Sequence, residues 1–358
     1  MNIAKIYFIS ISLITLIACG KDEPQAIYDP TPYHLEVGNF PPPMLPSDNL
    51  PTQAGVTLGR MLFYEKALSG NESMSCVDCH QQKDMFSDIR QFSVGVDNLN
   101  GRRQAMALFN LAWHRQGMFW DGRSPTLRDQ ALRPIQDPLE MHESLDNVVS
   151  KLSEMNIYRD QFVRAFGSET ITSDLIGLAI EQFEFTLISN DSKFDQFQQG
   201  NAVLSESEER GRQLFFREVD PFTGQKGGEC FHCHGGFNFT NDQFMNNGLD
   251  DDASFSDPGR FEVTNLPKDQ GLFKVPSLRN IELTAPYMHD GRFSTLEEVI
   301  EHYNTGVKNS STMDELLFHN TEQGGLQLSE MEKADLIAFL KTLTDPGLVV
   351  DDRFASPF

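Results

Sequence analysis

The 358-residue chain is predicted to be mainly α-helical and built from two like halves, on three observations. Apolar residues recur at helical spacing from Ser173 to Leu187 and from Ser329 to Leu343, where Ser329 and Glu332 have the spacing of a capping box. No stretch carries the long alternation of polar and apolar residues that marks a half-buried strand. The chain also repeats itself: Leu58-Gly59-Arg60-Met61-Leu62-Phe63-Tyr64 parallels Arg210-Gly211-Arg212-Gln213-Leu214-Phe215-Phe216, and Trp120-Asp121-Gly122-Arg123-Ser124-Pro125-Thr126-Leu127 parallels His289-Asp290-Gly291-Arg292-Phe293-Ser294-Thr295-Leu296.

Between the paired segments sit four of the five cysteines. They form two identical devices, Cys76-Val77-Asp78-Cys79-His80 and Cys230-Phe231-His232-Cys233-His234. C-x-x-C-H is the spacing that attaches a c-type haem through two thioethers and offers the adjacent histidine to iron. A zinc site would bring its C-x-x-C pairs to within about 15–20 residues of each other, whereas these lie about 150 apart. Two covalently bound haem c groups are therefore expected, with His80 and His234 as proximal iron ligands. The fold class that follows is two cytochrome c-like helical domains over 48–200 and 201–346, each with one haem, the haems facing a shared interface, with a short tail over 347–358.

The fifth cysteine closes the N-terminal segment. Lys5 precedes an apolar run from Ile6 to Ala18, too short to span a bilayer comfortably, which has the form of a secretory signal over 1–18. Leu16-Ile17-Ala18-Cys19 resembles a bacterial lipobox, in which Cys19 is acylated and becomes the mature N-terminus. Export and lipid anchoring are expected, facing the periplasm; Gly20 after the cysteine suggests the outer membrane and leaves surface display open. Prolines 24, 30, 32, 41, 42, 43 and 46 make 19–47 a stiff, extended tether with no core of its own. The net charge of −23 argues against nucleic acid as a partner, since a polyanion is repelled at every approach.

The repeat also compares the far side of each iron. In register after the Asp-Gly-Arg segments, Tyr303 of the second half corresponds to Pro134 of the first. A phenol oxygen ligates iron and proline offers nothing, so one haem is expected closed and the other open to a substrate.

Taken together, these motifs, with Phe119-Trp120-Asp121-Gly122-Arg123, Phe183-Glu184-Phe185-Thr186-Leu187 and Val275-Pro276-Ser277-Leu278-Arg279-Asn280 running on to Thr284-Ala285-Pro286-Tyr287-Met288-His289-Asp290-Gly291-Arg292, resemble the bacterial di-haem cytochrome c peroxidase and MauG superfamily over roughly 50–345. The resemblance implies a peroxidatic N-terminal haem, an electron-transfer C-terminal haem and a bridging tryptophan, here Trp120. It carries the family's distal glutamine and glutamate onto Gln130 and Glu140. A carboxylate in a dehydrated pocket moves a proton between the oxygens of a bound peroxide, and an amide both donates and accepts. Arg103 is expected to support a haem propionate.

Two departures bear on the subtype. In the reductively activated peroxidases a histidine in the loop before Asp-Gly-Arg closes the N-terminal haem; here that loop, 92–101, has none, and His114 lies too near Trp120 to replace it. The position that holds methionine in those enzymes is Tyr303, as in MauG, with Met288 as the alternative ligand. A hard anionic oxygen favours ferric iron. The family's calcium ion would take the carbonyls of Thr284 and Pro286, with Gln104 where asparagine is usual. The implied activity is reduction of hydrogen peroxide to water with electrons from a redox partner, a small cytochrome c or copper protein. The alternatives are a MauG-like oxidase acting on residues of a protein substrate and a di-haem electron carrier without peroxide chemistry.

Overall fold

A computed structural model describes residues 25–220, 222–317 and 324–358. The signal segment and Cys19 lie outside the described residues. Five helices build the first half: α1 Gln53–Phe63, α2 Leu127–Gln136, α3 Leu145–Glu154, α4 Asn156–Phe166 and α5 Ser173–Glu184. The second half contains α6 Lys193–Gln198, α7 Glu206–Phe215, α8 Phe231–His234, α9 Phe261–Thr264, α10 Leu296–Glu301 and α11 Glu330–Lys341, followed by α12 Gly347–Val350. Among the described residues the strands are β1 Phe244–Met245 and β2 Phe273–Lys274, antiparallel with Phe244 opposite Lys274. The chain is mainly α, as its periodicity predicts.

The helix ends follow from local chemistry. Thr52, Thr126, Ser144 and Thr172 cap α1, α2, α3 and α5 through their hydroxyls. The capping box expected at Ser329 forms: its hydroxyl accepts from the Glu332 N–H while the Glu332 carboxylate accepts from the Ser329 N–H at 2.8 Å.

The repeat is structural as well as sequential. Gly59 lies where α1 crosses α5, and a Cβ there would stand 1.9 Å from the Ala179 carbonyl oxygen. Its repeat partner Gly211 lies where α7 crosses α11, and its Cβ would stand 1.9 Å from the Asp335 carbonyl oxygen. In both halves the absent side chain permits a close helix crossing beneath the haem motif. Leu58, Leu62, Ile135, Leu152, Phe162, Ile176 and Ile180 fill the first core. The second is rich in phenylalanine, with the Phe194, Phe215 and Phe239 rings all edge-on or tilted to Phe339.

Three segments pack differently from the linear division. Helix α6, which the sequence places at the end of the first domain, contributes Phe194 to the second core, and Asp195 forms a buried bidentate pair with Arg279. The tail returns to the first half, burying Leu348 and Phe354 beside Phe63 and Phe86, while the Arg60 and Tyr64 side chains donate to the carbonyls of Ala355 and Phe354. From residue 25 the proline-rich segment is likewise attached: Leu35 and Phe40 are buried, and Phe40 packs on Trp113 and Phe237. Proline keeps this segment extended, and Phe40 seats on rings from both halves.

Candidate functional site

The two halves enclose one cavity of about 1320 Å³ with a mostly apolar lining. It exceeds the ~300–1,000 Å³ of an ordinary small-ligand pocket. Cys79 and His80 open onto it from the first half, and Cys230, Cys233 and His234 from the second. Cys76 sits behind this wall, packed among the apolar residues around Phe63 and Phe86. The four described cysteines are all free of disulfides. Burial pushes the Cys230 thiol up to about 12 and Cys233 to about 11, and raises Cys76 and Cys79 as well.

Each C-x-x-C-H histidine is prepared in the same way. His80 donates from Nδ1 to the Phe86 carbonyl at 2.9 Å, and His234 from Nδ1 to the Phe239 carbonyl at 3.2 Å. Burial holds both rings below the usual imidazole range, His234 at about 4. A neutral ring with its proton on Nδ1 carries a lone pair on Nε2, the state an iron ligand requires. Four unpaired thiols at attachment spacing, two imidazoles fixed in the ligating tautomer and an apolar cavity together fit two covalently bound haems.

The cavity gathers the remaining predicted residues. Gln130, Pro134 and Glu140 line it from α2 and the loop that follows. Pro134 lies inside α2, in its last turn, where it leaves the Gln130 carbonyl without its helical N–H partner. Gln130 Oε1 is buried without a hydrogen-bond partner among the described residues. Burial, reinforced by Asp137 and opposed by Arg123, pushes the Glu140 carboxyl up to about 7. The main chain of Glu140 is held by the 92–101 hairpin, which the sequence marks only by its lack of histidine. Val96 N–H donates to the Glu140 carbonyl at 2.8 Å, His142 bonds the Asp97 carboxylate at 2.5 Å, and a Cβ on Gly95 would stand 2.1 Å from the Leu139 carbonyl oxygen.

Trp120 is fixed at the joint between the halves. Its Nε1 donates to the Gln104 carbonyl at 2.8 Å, and its own carbonyl accepts from the Lys274 N–H at 2.7 Å. Arg103 also faces the cavity, where its guanidinium meets Asp121 at 2.5 Å, Asp257 at 2.7 Å and Glu262 at 3.3 Å. His114 donates to Asp242, which also accepts from the buried Lys274. In the second half Tyr303 and Met288 both line the cavity, and Asn247, which no sequence pattern singles out, lies between them. Thr284, Pro286 and Gln104 line the same cavity. No group of three or more histidine, cysteine or acidic side chains among the described residues could hold a metal ion.

Two helical cores, two C-x-x-C-H devices and one shared cavity define a di-haem c-type cytochrome. Residues 53–203 match the family model described as di-haem cytochrome c peroxidase. The methylamine utilization protein MauG of Methylophilus methylotrophus is 34% identical over 85% of this chain and 87% of its own. The cytochrome c551 peroxidase of Nitrosomonas europaea is 35% identical over 80% of this chain and 79% of its own. Among solved structures, a MauG-like protein associated with microbial copper homeostasis superposes with a TM-score of 0.82 at 36% identity, covering 91% of this chain and 99% of that one. The chain belongs to the di-haem cytochrome c peroxidase and MauG family, and is an oxidoreductase of the cytochrome c peroxidase type. Members of that family are periplasmic cytochromes, and no described helix is long and apolar enough to cross a membrane.

Proposed function

We propose that this protein reduces hydrogen peroxide to two waters at an open site across from His80, consuming two electrons and two protons. The carrying observation is the pairing, in one cavity with His80, of a Glu140 carboxyl raised to about 7 with a Gln130 Oε1 that is buried and unpartnered. Cys76 and Cys79 would attach the first haem and Cys230 and Cys233 the second, with His80 and His234 as proximal ligands. When bound, the first haem supplies the iron at which the O–O bond breaks, and the second stores and relays electrons.

Glu140 accepts the proton of the near peroxide oxygen and returns it to the far one, which leaves as water. Gln130 orients the peroxide, donating from its amide nitrogen and accepting at Oε1. Pro134 has no ligating side chain to offer the first haem's iron, and loop 92–101, tied to the Glu140 segment, has no histidine. The site is thus open without prior reduction. Trp120, held from both halves, bridges the electron path. Tyr303 would supply the second protein ligand of the second haem, and Arg103 would support a propionate. The test is Glu140→Gln in the holoprotein, which should slow the reaction with peroxide severely while leaving both haems attached; an unchanged rate removes Glu140 from the mechanism.

A second reading, a MauG-like oxidase drawing electrons from residues of a protein substrate, is favoured by Tyr303 at the ligand position. Turnover with a panel of small cytochromes, copper proteins and protein substrates separates the two. A protein whose haems are both six-coordinate and indifferent to peroxide would instead be an electron carrier. The −23 charge favours a partner with a basic docking face, whose binding weakens with salt. We also propose a calcium ion at the carbonyls of Thr284 and Pro286, beside Gln104, an oxygen donor set that suits a hard cation. Acylation at Cys19 would tether the protein to the membrane on its periplasmic side.

A further inference from the structure

We infer that Asn247 selects the axial ligand of the second haem, its side-chain amide supporting the Tyr303 oxygen and occupying the Met288 sulfur. The inference rests on the reading that Tyr303 is a ligand, and it adds the residue that makes the choice between two candidates on the same cavity wall.

The placement begins with the backbone. Helix α10 is capped by a Thr295 and Glu298 box and passes directly into a π turn over His302–Gly306, a feature that recurs at functional sites because it re-aims the residues it contains. Tyr303 lies in that turn and lines the cavity, as does Met288. Asn247 Nδ2 lies 3.3 Å from Tyr303 Oη and 3.4 Å from Met288 Sδ. An amide nitrogen carries two N–H donors, so both contacts form at once.

Asn247 is not free to leave this position. Its main-chain carbonyl accepts from His302 Nε2 at 3.0 Å, which ties it to the turn carrying Tyr303. The preceding residue, Asn246, is buried; its amide donates to the Ser310 and Thr312 hydroxyls at 2.9 Å, and its Oδ1 accepts from the Gly248 N–H at 2.9 Å. The two N–H bonds of Asn247 act in the same direction. Donation to the phenol oxygen stabilises negative charge there, and hydrogen bonds to charged acceptors are the stronger kind. Donation to a thioether engages one of its two lone pairs and makes the sulfur a poorer donor to iron. Oxygen is therefore favoured over sulfur, and with it ferric over ferrous iron.

The experiment compares holoprotein wild type, Asn247→Leu, Asn247→Ala and the double variant Asn247→Leu/Met288→Leu by resonance Raman, ferric electronic absorption and spectroelectrochemistry of the second haem. Wild type should show phenolate ligation; both single variants should shift the balance of tyrosine over methionine ligation roughly tenfold to a hundredfold toward methionine, from the loss of one charge-assisted bond. The sulfur-to-iron absorption then appears, the potential of that haem rises, and the double variant lacks the sulfur band. Alanine repeats the test where leucine disturbs folding. A wild type without the phenolate signature overturns the Tyr303 reading and the inference with it. A wild type with that signature, unchanged in potential and spectrum in either single variant, overturns the role of Asn247 alone.

Discussion

Replacing Glu140 by glutamine keeps the size and polarity of the side chain and removes its ability to exchange a proton. The carboxyl is pushed up to about 7, chiefly by burial, so at neutral pH about half the molecules hold it as the accepting carboxylate. In the proposed mechanism the carboxylate is the reactive form, which lies above that value. The rate of reaction with peroxide should therefore fall as pH drops through about 7, approaching a tenfold loss per pH unit on the acid side. Positioned proton transfer contributes roughly 10²–10⁴-fold, and Glu140→Gln should lose a factor in that range together with the acid limb. The assay is stopped-flow absorption of the diferric holoprotein mixed with peroxide between pH 5 and 9, with haem content measured on the same samples. A variant that keeps the wild-type rate, or that slows but retains a limb near pH 7, would refute proton transfer by Glu140.

Gly95→Ala puts a Cβ 2.1 Å from the Leu139 carbonyl oxygen and should displace the Glu140 loop, lowering the peroxide rate while the second haem's spectrum stays unchanged. Gly59→Ala and Gly211→Ala should each lower stability by about 1–3 kcal/mol, since in both a Cβ would meet a carbonyl oxygen of the crossing helix at 1.9 Å; thermal melts of the holoprotein check this. Glu184 is buried, its Oε2 has no partner among the described residues, and burial together with Glu181 raises it from an ordinary 4.5 to about 8. The folded state holds that proton where the unfolded state has lost it, so stability falls as pH rises from 4.5 to 8. Glu184→Gln should remove a penalty on the order of 2–4 kcal/mol at pH 8 and above and change little near pH 4, as melting temperature against pH will show. Trp120→Phe deletes the Nε1 bond to the Gln104 carbonyl and should slow electron exchange between the haems without detaching either, measured by flash reduction of one haem.

What could be read from the sequence was local or repeated. The C-x-x-C-H spacing carries its own chemistry, and the Ser329 box is complete within four residues. The repeat aligns Gly59 with Gly211 and Tyr303 with Pro134 by register alone. What escaped depends on contacts between distant segments. Nothing near Gly95 announces that its hairpin holds the backbone of Glu140, because the bond joins residues 96 and 140. Helix α6 is contiguous with the first half, yet Phe194 and Asp195 find their partners at Phe339 and Arg279. Phe40 and Phe354 belong to segments too polar or too short to predict a core, and both are buried against surfaces assembled elsewhere. Asn247 follows a two-residue strand with no periodicity, and its meaning appears only when Tyr303 and Met288 are on either side of it.

The most direct test is to add hydrogen peroxide to the fully oxidised holoprotein, with no reductant, and record the spectrum on the millisecond scale. The proposed open site, to which Pro134 and the histidine-free loop 92–101 bring no ligand, predicts an immediate change in the first haem, stoichiometric in peroxide, followed by return to the starting spectrum when an electron donor is supplied. A spectrum that stays unchanged until one haem has first been reduced would contradict it.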